Sequence, residues 1–225
     1  MKLAVGIFAK TIGLSSVKTR LAADIGKAES EAFYAMSVDA VADVLNQAQR
    51  NTDGTIVPVW TLAEEAAPNL SQWSGFNAIW TGEGGLGKRL ANVSEALFAD
   101  YDAVALIGTD SPHLRPNLFE DVLRQLKQDP ATHVAGPADD GGFYLYASTR
   151  PIDRNIWEKV TYSVDTTLEE LVSLIEVEGQ KVKYLASESD VDVVADLQKL
   201  ERALSVSEST LVPAQTRLLD WLKNR

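Results

Sequence analysis

Apolar runs alternate with helix-like periodic segments through the first two-thirds of the chain, and this alternation predicts a sheet assembled from β-α-β units. Leu3 to Ala9 is the first apolar run and reads as a strand. A polar, glycine-containing loop from Lys10 to Lys18 follows, and residues 29–49 then carry Phe33, Met36, Val38, Val41, Val44 and Leu45 at helical spacing. Further strands are predicted at Thr55–Trp60, Asn77–Trp80 and Ala103–Ile107, with helices over Leu86–Phe98 and Asn117–Lys127. The second of these helices places Leu118, Val122, Leu123 and Leu126 on one face. The succession is that of a doubly wound α/β sheet.

Past Lys127 the alternation loosens. His133–Gly136 and Phe143–Ala147 read as strands separated by Pro137-Ala-Asp-Asp-Gly-Gly142, which predicts antiparallel pairing near the sheet edge and therefore a mixed sheet. A helix over Val164–Val177, a strand over Lys181–Leu185 and a helix over Val194–Leu204 follow, the last preceded by the acidic turn Asp190-Val-Asp192. Beyond a break at residues 205–210, Pro213–Lys223 has an apolar stripe of Leu218, Leu219, Trp221 and Leu222, expected to dock on the parent core. No linker interrupts the chain, so we expect one domain over residues 1–225, with 208–225 as its C-terminal amphipathic helix.

Composition narrows the chemistry. A hydrophobic fraction of 45% beside 24% charged residues is that of a soluble globule, and the apolar runs are too short to cross a bilayer. Lys10 interrupts the first run, which argues for a strand over a signal peptide. With no cysteine there is no disulfide framework or thiolate metal site, which fits a reducing, cytoplasmic setting. His113 and His133 are the only imidazoles, a poor supply for zinc hydrolysis or a histidine-based triad. The net charge of -11 disfavours nucleic acid and anionic membranes as partners, so an anionic substrate would require positive charge gathered locally.

Four segments carry candidate chemistry. In Asp102-Ala-Val-Ala-Leu-Ile-Gly-Thr-Asp110-Ser-Pro-His-Leu114 an apolar run stops on a carboxylate at the mouth of a buried strand. A hard oxygen ligand there can hold a divalent cation against phosphate, although Asp110 could equally cap the helix that follows. The loop Phe8-Ala-Lys10-Thr-Ile-Gly13-Leu-Ser-Ser-Val-Lys18-Thr-Arg20-Leu21 gathers three basic residues around a glycine, a candidate phosphate cradle that lacks the Walker spacing. Gly82-Glu-Gly84-Gly-Leu-Gly87-Lys88-Arg89 satisfies the dinucleotide pattern G-x-G-x-x-G and opens a helix, where glycines beside Arg89 would serve any phosphate. In Asp139-Asp140-Gly141-Gly142 a carboxylate could orient a sugar or acceptor against glycine backbone, or the run could be a plain hairpin turn. Asp190 and Asp192 could form part of a cation site, or cap the next helix.

Taken together and in order, these motifs resemble a family of microbial proteins grouped with the GT-A-like nucleotide-diphospho-sugar transferases. The resemblance rests on Phe8-Ala-Lys10, Val17-Lys18-Thr19-Arg20-Leu21, Gly82 to Leu90, Ile107 to Leu114, Gly136 to Leu145 and Asp190-Val-Asp192. It implies a three-layer α/β/α fold with a mixed, mostly parallel sheet, binding a nucleotide and a divalent metal. In the wider superfamily, which includes phospholactate guanylyltransferases and molybdenum-cofactor nucleotidyltransferases, the basic loop holds phosphates and the acid after the central strand holds metal. Those positions fall here on Lys18, Arg20 and Asp110, with Asp192 as a second metal ligand. The chain departs from the family pattern at Thr11-Ile-Gly13-Leu-Ser-Ser, at Gly85 and at Tyr162-Ser163-Val164.

The resulting expectation is a transferase dependent on Mg²⁺ or Mn²⁺ that uses a nucleoside triphosphate or nucleotide sugar and an acceptor, with a homodimer as a compatible assembly. Asp110 and Asp192 would hold the metal, and Lys10, Lys18 and Arg20 would stabilise the leaving phosphate. Gly13, Gly84, Gly87, Arg89, Gly141 and Gly142 would complete the nucleotide site, and Asp140 would position the acceptor. Two other classes stand beside it: a nicotinamide-dependent oxidoreductase built on Gly82 to Gly87, and a nucleotide-sensing module without turnover.

Overall fold

In the computed structural model, which describes residues 1–206 and 210–225, the apolar runs form seven strands. These are β1 (Leu3–Ala9), β2 (Ile56–Leu62), β3 (Asn77–Trp80), β4 (Ala103–Ile107), β5 (Thr132–Pro137), β6 (Phe143–Ser148) and β7 (Lys181–Tyr184). They make one sheet in the order β3-β2-β1-β4-β6-β5-β7. β1 pairs in parallel with β2 and β4, β2 with β3, and β5 with β7, whereas β6 runs antiparallel to both β4 and β5. The antiparallel pair of β5 and β6 is therefore near the edge, as expected, but β6, antiparallel to both its neighbours, is not outermost. It lies inside, and β7 forms that edge, because the turn after β5 returns the chain between β4 and β5.

The helices are α1 (Thr19–Ile25), α2 (Lys27–Asn51), α3 (Leu86–Phe98), α4 (Pro116–Gln128), α5 (Arg154–Lys159), α6 (Thr167–Val177), α7 (Val194–Val206) and α8 (Pro213–Lys223). One sheet face is covered by Val41, Val44 and Leu45 of α2 and by Phe119, Val122 and Leu126 of α4. The other is covered by Leu90, Val93 and Leu97 of α3, Trp157 of α5, and Leu171 and Ile175 of α6. This is the expected α/β/α layering, with an outer helical layer added. Leu197, Leu200 and Leu204 of α7 join Ala214, Leu218, Leu219 and Leu222 of α8 against Leu21 and Phe33 on the far side of α2. The C-terminal stripe thus docks on the parent chain. Each such leucine, once buried, contributes about 1.5–3 kcal/mol. Helix α8 starts at Pro213, and part of the 208–225 segment assigned to it from sequence lies outside the described residues.

Two helices escape the sequence pattern. α1 has seven residues and buries only Leu21, and α5 has six, begun by the Asp153 side chain accepting from the Asn155 amide (2.7 Å). Neither spans enough turns to show a periodic face. α6 begins at Thr167, three residues later than predicted, because residues 164–167 form a turn closed by the Thr167 amide on the Val164 carbonyl (3.2 Å).

Candidate active site

The sheet reverses its winding between β1 and β4, and a ligand crevice is expected outside the carboxyl ends of strands at such a point. A cleft of about 780 Å³ opens there, and Lys10, Lys18, Arg20, Asp110, Asp140 and Asp192 all line it. Loops distant in sequence, after β1, β4, β5 and β7, are thereby brought together by strand order.

Lys18 is the hub of the constellation. Its side chain is only 4% exposed, and its ammonium pairs with the Asp110 carboxylate, lies 3.5 Å from Asp192 Oδ1 and donates to the Val191 carbonyl (2.5 Å). The residue adopts a left-handed conformation (φ 45°, ψ 45°) just before α1. For a side chain of this type such backbone costs about 1–3 kcal/mol and persists where surrounding contacts over-determine it. The three oxygen partners supply that determination. Arg20 stands at the rim, 72% exposed, with Nη1 3.4 Å from Asp192 Oδ2. Lys10 is held from behind: the buried Tyr34 hydroxyl accepts from its amide (2.7 Å) and donates to its carbonyl (3.0 Å). Burial pushes the Tyr34 hydroxyl up to about 12, so it stays protonated as that donor.

The helix-cap alternatives for the acidic residues do not occur. No side chain caps α4, whose N-terminal flank is Arg115, and Asp110 turns instead to Lys18. Ahead of α7 the Asp196 carboxylate accepts from the amides of Asp192 and Val193 (both 3.1 Å). Asp190 and Asp192 are left to face the cleft. Asp190 is the more enclosed of the two, and the Ser111 hydroxyl donates to it. Desolvation first, then the negative charges of Asp110 and Asp140, push its carboxyl up to about 6 against the opposing effects of Ser111 and Lys18. The sequence resemblance singled out Asp192, but Asp190 shares the carboxylate cluster. Asp140 bends over its own turn to accept from the Gly142 amide (2.9 Å) while lining the cleft.

The glycines divide. Gly142 lines the cleft, whereas Gly141 (φ 86°) faces away, where an added Cβ would lie 1.9 Å from the Asp165 carbonyl oxygen. Gly13, Gly84 and Gly87 do not line it. Gly13 (φ 89°) makes the tight turn between Thr11 and Ser15. At Gly87 a Cβ would come within 2.2 Å of the Trp157 carbonyl oxygen, so this glycine lets α3 and α5 pack closely. Arg89 reaches the cleft wall, but its guanidinium donates to the carbonyls of Gly84 (3.0 Å) and Ala63 (2.9 Å) and to the Thr81 hydroxyl (3.1 Å).

Residues that sequence reading did not select complete the walls. Thr61, at the carboxyl end of β2, presents a buried hydroxyl with no partner among the described residues. Its only sequence signal is a polar residue ending an apolar run. Tyr162 and Ser163 line the opposite side, Ser163 in a left-handed conformation (φ 63°).

The donor set suits a hard cation. Among the described residues no three His, Cys, Asp or Glu side chains group closely enough to hold a metal by themselves. Asp110 and Asp192 do converge on one ammonium. Mg²⁺ is commonly bound by one or two carboxylates, with substrate phosphates and water completing its shell, and the residues fit that mode. Among the described residues no helix is long and apolar enough to cross a membrane.

Residues 43–164 match the family described as "uncharacterized protein conserved in bacteria (DUF2064)". No curated protein matches the chain. Among solved structures, a candidate nucleotide-diphospho-sugar transferase from Desulfovibrio desulfuricans G20 aligns with a TM-score of 0.83 at 23% identity, over 99% of this chain and 97% of that one. A CMP:2-keto-3-deoxy-manno-octonic acid synthetase complexed with CTP aligns at 0.52 and 19% identity, over 92% of this chain and 100% of that one. A 4-diphosphocytidyl-2C-methyl-D-erythritol synthase from Anaerococcus prevotii DSM 20548 aligns at 0.54 and 13% identity, over 92% and 96%. These likenesses establish a fold of the nucleotide-diphospho-sugar transferase type.

Proposed function

The chain belongs to the DUF2064 family of proteins conserved in bacteria, and we propose that it is a divalent-metal-dependent transferase acting on a nucleotide substrate. The observation that carries the reading is the convergence of Lys18, Asp110 and Asp192 at the winding reversal of the sheet, with Lys10 and Arg20 on the same cleft. Named structural relatives that handle nucleotides lend it support, and the cleft volume accommodates a nucleoside triphosphate or a nucleotide sugar. We favour nucleotidyl transfer, because pyrophosphate departs with more negative charge than a nucleoside diphosphate does, and Lys10, Lys18 and Arg20 gather three positive charges on one side of the cleft.

In that reaction an acceptor oxygen attacks the α-phosphorus, the bond between that phosphorus and the α–β bridging oxygen breaks, and pyrophosphate leaves with the electron pair. Asp140 accepts a hydrogen bond from the acceptor hydroxyl and takes its proton, and Gly142 lets the acceptor lie against backbone. Lys10, Lys18 and Arg20 stabilise negative charge as it accumulates on the leaving oxygens. A metal held by Asp110 and Asp192 would supply charge neutralisation at the phosphate oxygens. The Thr61 hydroxyl is free to meet a polar edge of the ligand. In the glycosyl version the same groups stabilise a departing nucleoside diphosphate.

The dinucleotide alternative fares worse in this geometry. The glycine run follows the edge strand β3, and Gly84 and Gly87 do not line the cleft. Asp110, the acid it would need for a ribose, ends β4, with β2 and β1 lying between it and β3.

A thermal-shift screen of nucleoside triphosphates and nucleotide sugars, with and without Mg²⁺, tests the proposal, since selective binding raises the melting temperature by mass action. We expect a Mg²⁺-dependent shift that Asp110→Ala removes. Retention of the shift in that variant, or saturable NADH binding indifferent to Mg²⁺, contradicts the site as described. Released pyrophosphate or nucleoside diphosphate separates the two transfer reactions, and tight binding with no product from any acceptor favours a sensing module.

A further inference from the structure

We propose that Gln215 of the C-terminal helix is a positioning residue for Asp110, which ties α8 to the metal-binding end of the cleft. The inference rests on the reading of Asp110 as a metal ligand. Asp110 sits in the segment between β4 and α4, residues 108–115, which is neither strand nor helix. Its backbone polar groups therefore need partners from elsewhere. The Asp110 carbonyl receives the Val191 amide (3.0 Å), and the Ser111 carbonyl receives the Leu114 amide (3.2 Å), closing a turn. Two further carbonyls of the segment, those of Pro112 and Leu114, are met from α8. Gln215 Nε2 donates to both, at 2.9 Å each, while its Oε1 accepts from the Val212 amide (3.2 Å).

Both ends of this carboxamide are thus engaged, and the side chain is 1% exposed. A buried amide that loses either set of partners leaves polar groups unsatisfied, so its geometry is sharply defined. The turn transmits that definition. The Pro112 ring fixes φ, so a displacement of the carbon that bears its carbonyl is passed to the Ser111–Pro112 peptide, next to Asp110. Helix α8 is itself anchored, by Leu218 and Leu219 in the outer layer and by the Asp43 carboxylate of α2, which accepts from the Ala214 amide (2.9 Å). A rigid path therefore runs from α2 through α8 and Gln215 to the turn that carries Asp110. His113 also ties the turn, through Glu188 (2.9 Å), a partner that is 37% exposed. The buried, doubly donating tie is that of Gln215.

Partners standing behind metal ligands typically influence affinity by 10–100-fold, and this scale sets the test. Mn²⁺ alone is titrated into the full-length protein, well below its melting temperature, and the EPR signal of free Mn²⁺ reports binding. Gln215→Met, which preserves volume but removes both donors, is expected to weaken Mn²⁺ binding about 10–100-fold. Ile175→Ala on α6, buried against the opposite face of the sheet, creates a cavity without touching the turn or the path to it. It is expected to lower the melting temperature at least as much yet keep Mn²⁺ affinity within about twofold of wild type, because it leaves both donors in place. Should Gln215→Met not fold, Gln215→Glu keeps the acceptor for Val212 and sets an oxygen against the two carbonyls, with weakening expected in the same direction. Mn²⁺ affinity unchanged in the Gln215 variant, or equally weakened in Ile175→Ala, overturns the positioning role. Wild type that binds no Mn²⁺, or binds it as well as Asp110→Ala does, overturns the metal reading and this proposal with it.

Discussion

Two loops of this protein look alike on paper and behave differently in the fold. The segments after β1 and after β3 each lead from a strand through glycine into a helix, and each has lysine and arginine within the loop or the first turn of that helix. After β1, the charges go to the cleft: Lys18 meets Asp110 and Asp192, and Lys10 and Arg20 flank it. After β3, the charge is absorbed by the scaffold, with Arg89 spread over Gly84, Ala63 and Thr81 and Gly87 pressed against Trp157. The difference follows from position. β1 is central and adjoins β4 at the reversal, so its loop confronts the acid at the end of β4, while β3 is an edge strand with β2 as its one neighbour. Loop composition qualifies a segment for anion binding, and strand order decides whether an anion can arrive there.

The largest expected separation between the loops is in activity. Lys18→Met should lower nucleotide-dependent turnover about 100–1,000-fold, as loss of a preorganised charge-stabilising donor does elsewhere. Arg89→Met should instead act on folding, reducing stability in urea by about 2 kcal/mol as three charge-assisted bonds are lost. Equal losses of activity in the two variants would dissolve the distinction. A sharper probe of the β3 loop is Gly87→Ala. Its Cβ can be accommodated only if α3 and α5 separate, and a cost of about 1–3 kcal/mol in urea denaturation is expected, with nucleotide affinity of the folded fraction unchanged. Weakened nucleotide binding by folded Gly87→Ala would return that glycine to the ligand site.

The smallest expected effect concerns a group remote from both loops. His133 on β5 is 1% exposed and lies between the Tyr146 hydroxyl (2.6 Å) and the Gln180 side-chain oxygen, and burial holds its pKa below the usual imidazole value. The unfolded chain therefore takes up a proton more readily than the folded one as pH falls. Stability linked to this histidine is complete above the ordinary imidazole range and is lost as pH falls through the depressed folded value. Urea midpoints measured from pH 7.5 to about 5 should fall in wild type relative to His133→Gln, while Asp190, raised in the folded state, contributes the opposite slope in both proteins. A wild-type slope identical to that of His133→Gln would mean that His133 contributes nothing to the acid limb.

Much of the architecture is legible in local pattern. The runs Leu3–Ala9 and Ala103–Ile107 are strands with the bounds read from their apolar residues, and Leu86–Phe98 and Pro213–Lys223 are helices with the bounds read from their periodicity. The strand-end position of Asp110 was legible too, because a short polar residue ending an apolar run marks a strand mouth. Less local features were not. α1 and α5 are too short to be periodic, and β6 lies between β4 and β5 through pairing that no single segment displays. Asp190 and Asp192 are indistinguishable by spacing, yet Asp190 meets Ser111 and Asp192 meets Lys18 and Arg20.

By itself the sequence determined which segments become strands and helices, which of their faces are apolar, and where acids and bases stand along the chain. These follow from periodicity and turn chemistry, which act over a few residues. Only the tertiary structure decided that the β1 loop and not the β3 loop confronts Asp110, that the late carboxylates reach the same cleft, and that α8 supplies Gln215 to the turn beside it. Those outcomes depend on strand order and helix docking, where groups about a hundred or more residues apart in sequence must pair, and no local pattern encodes such pairing.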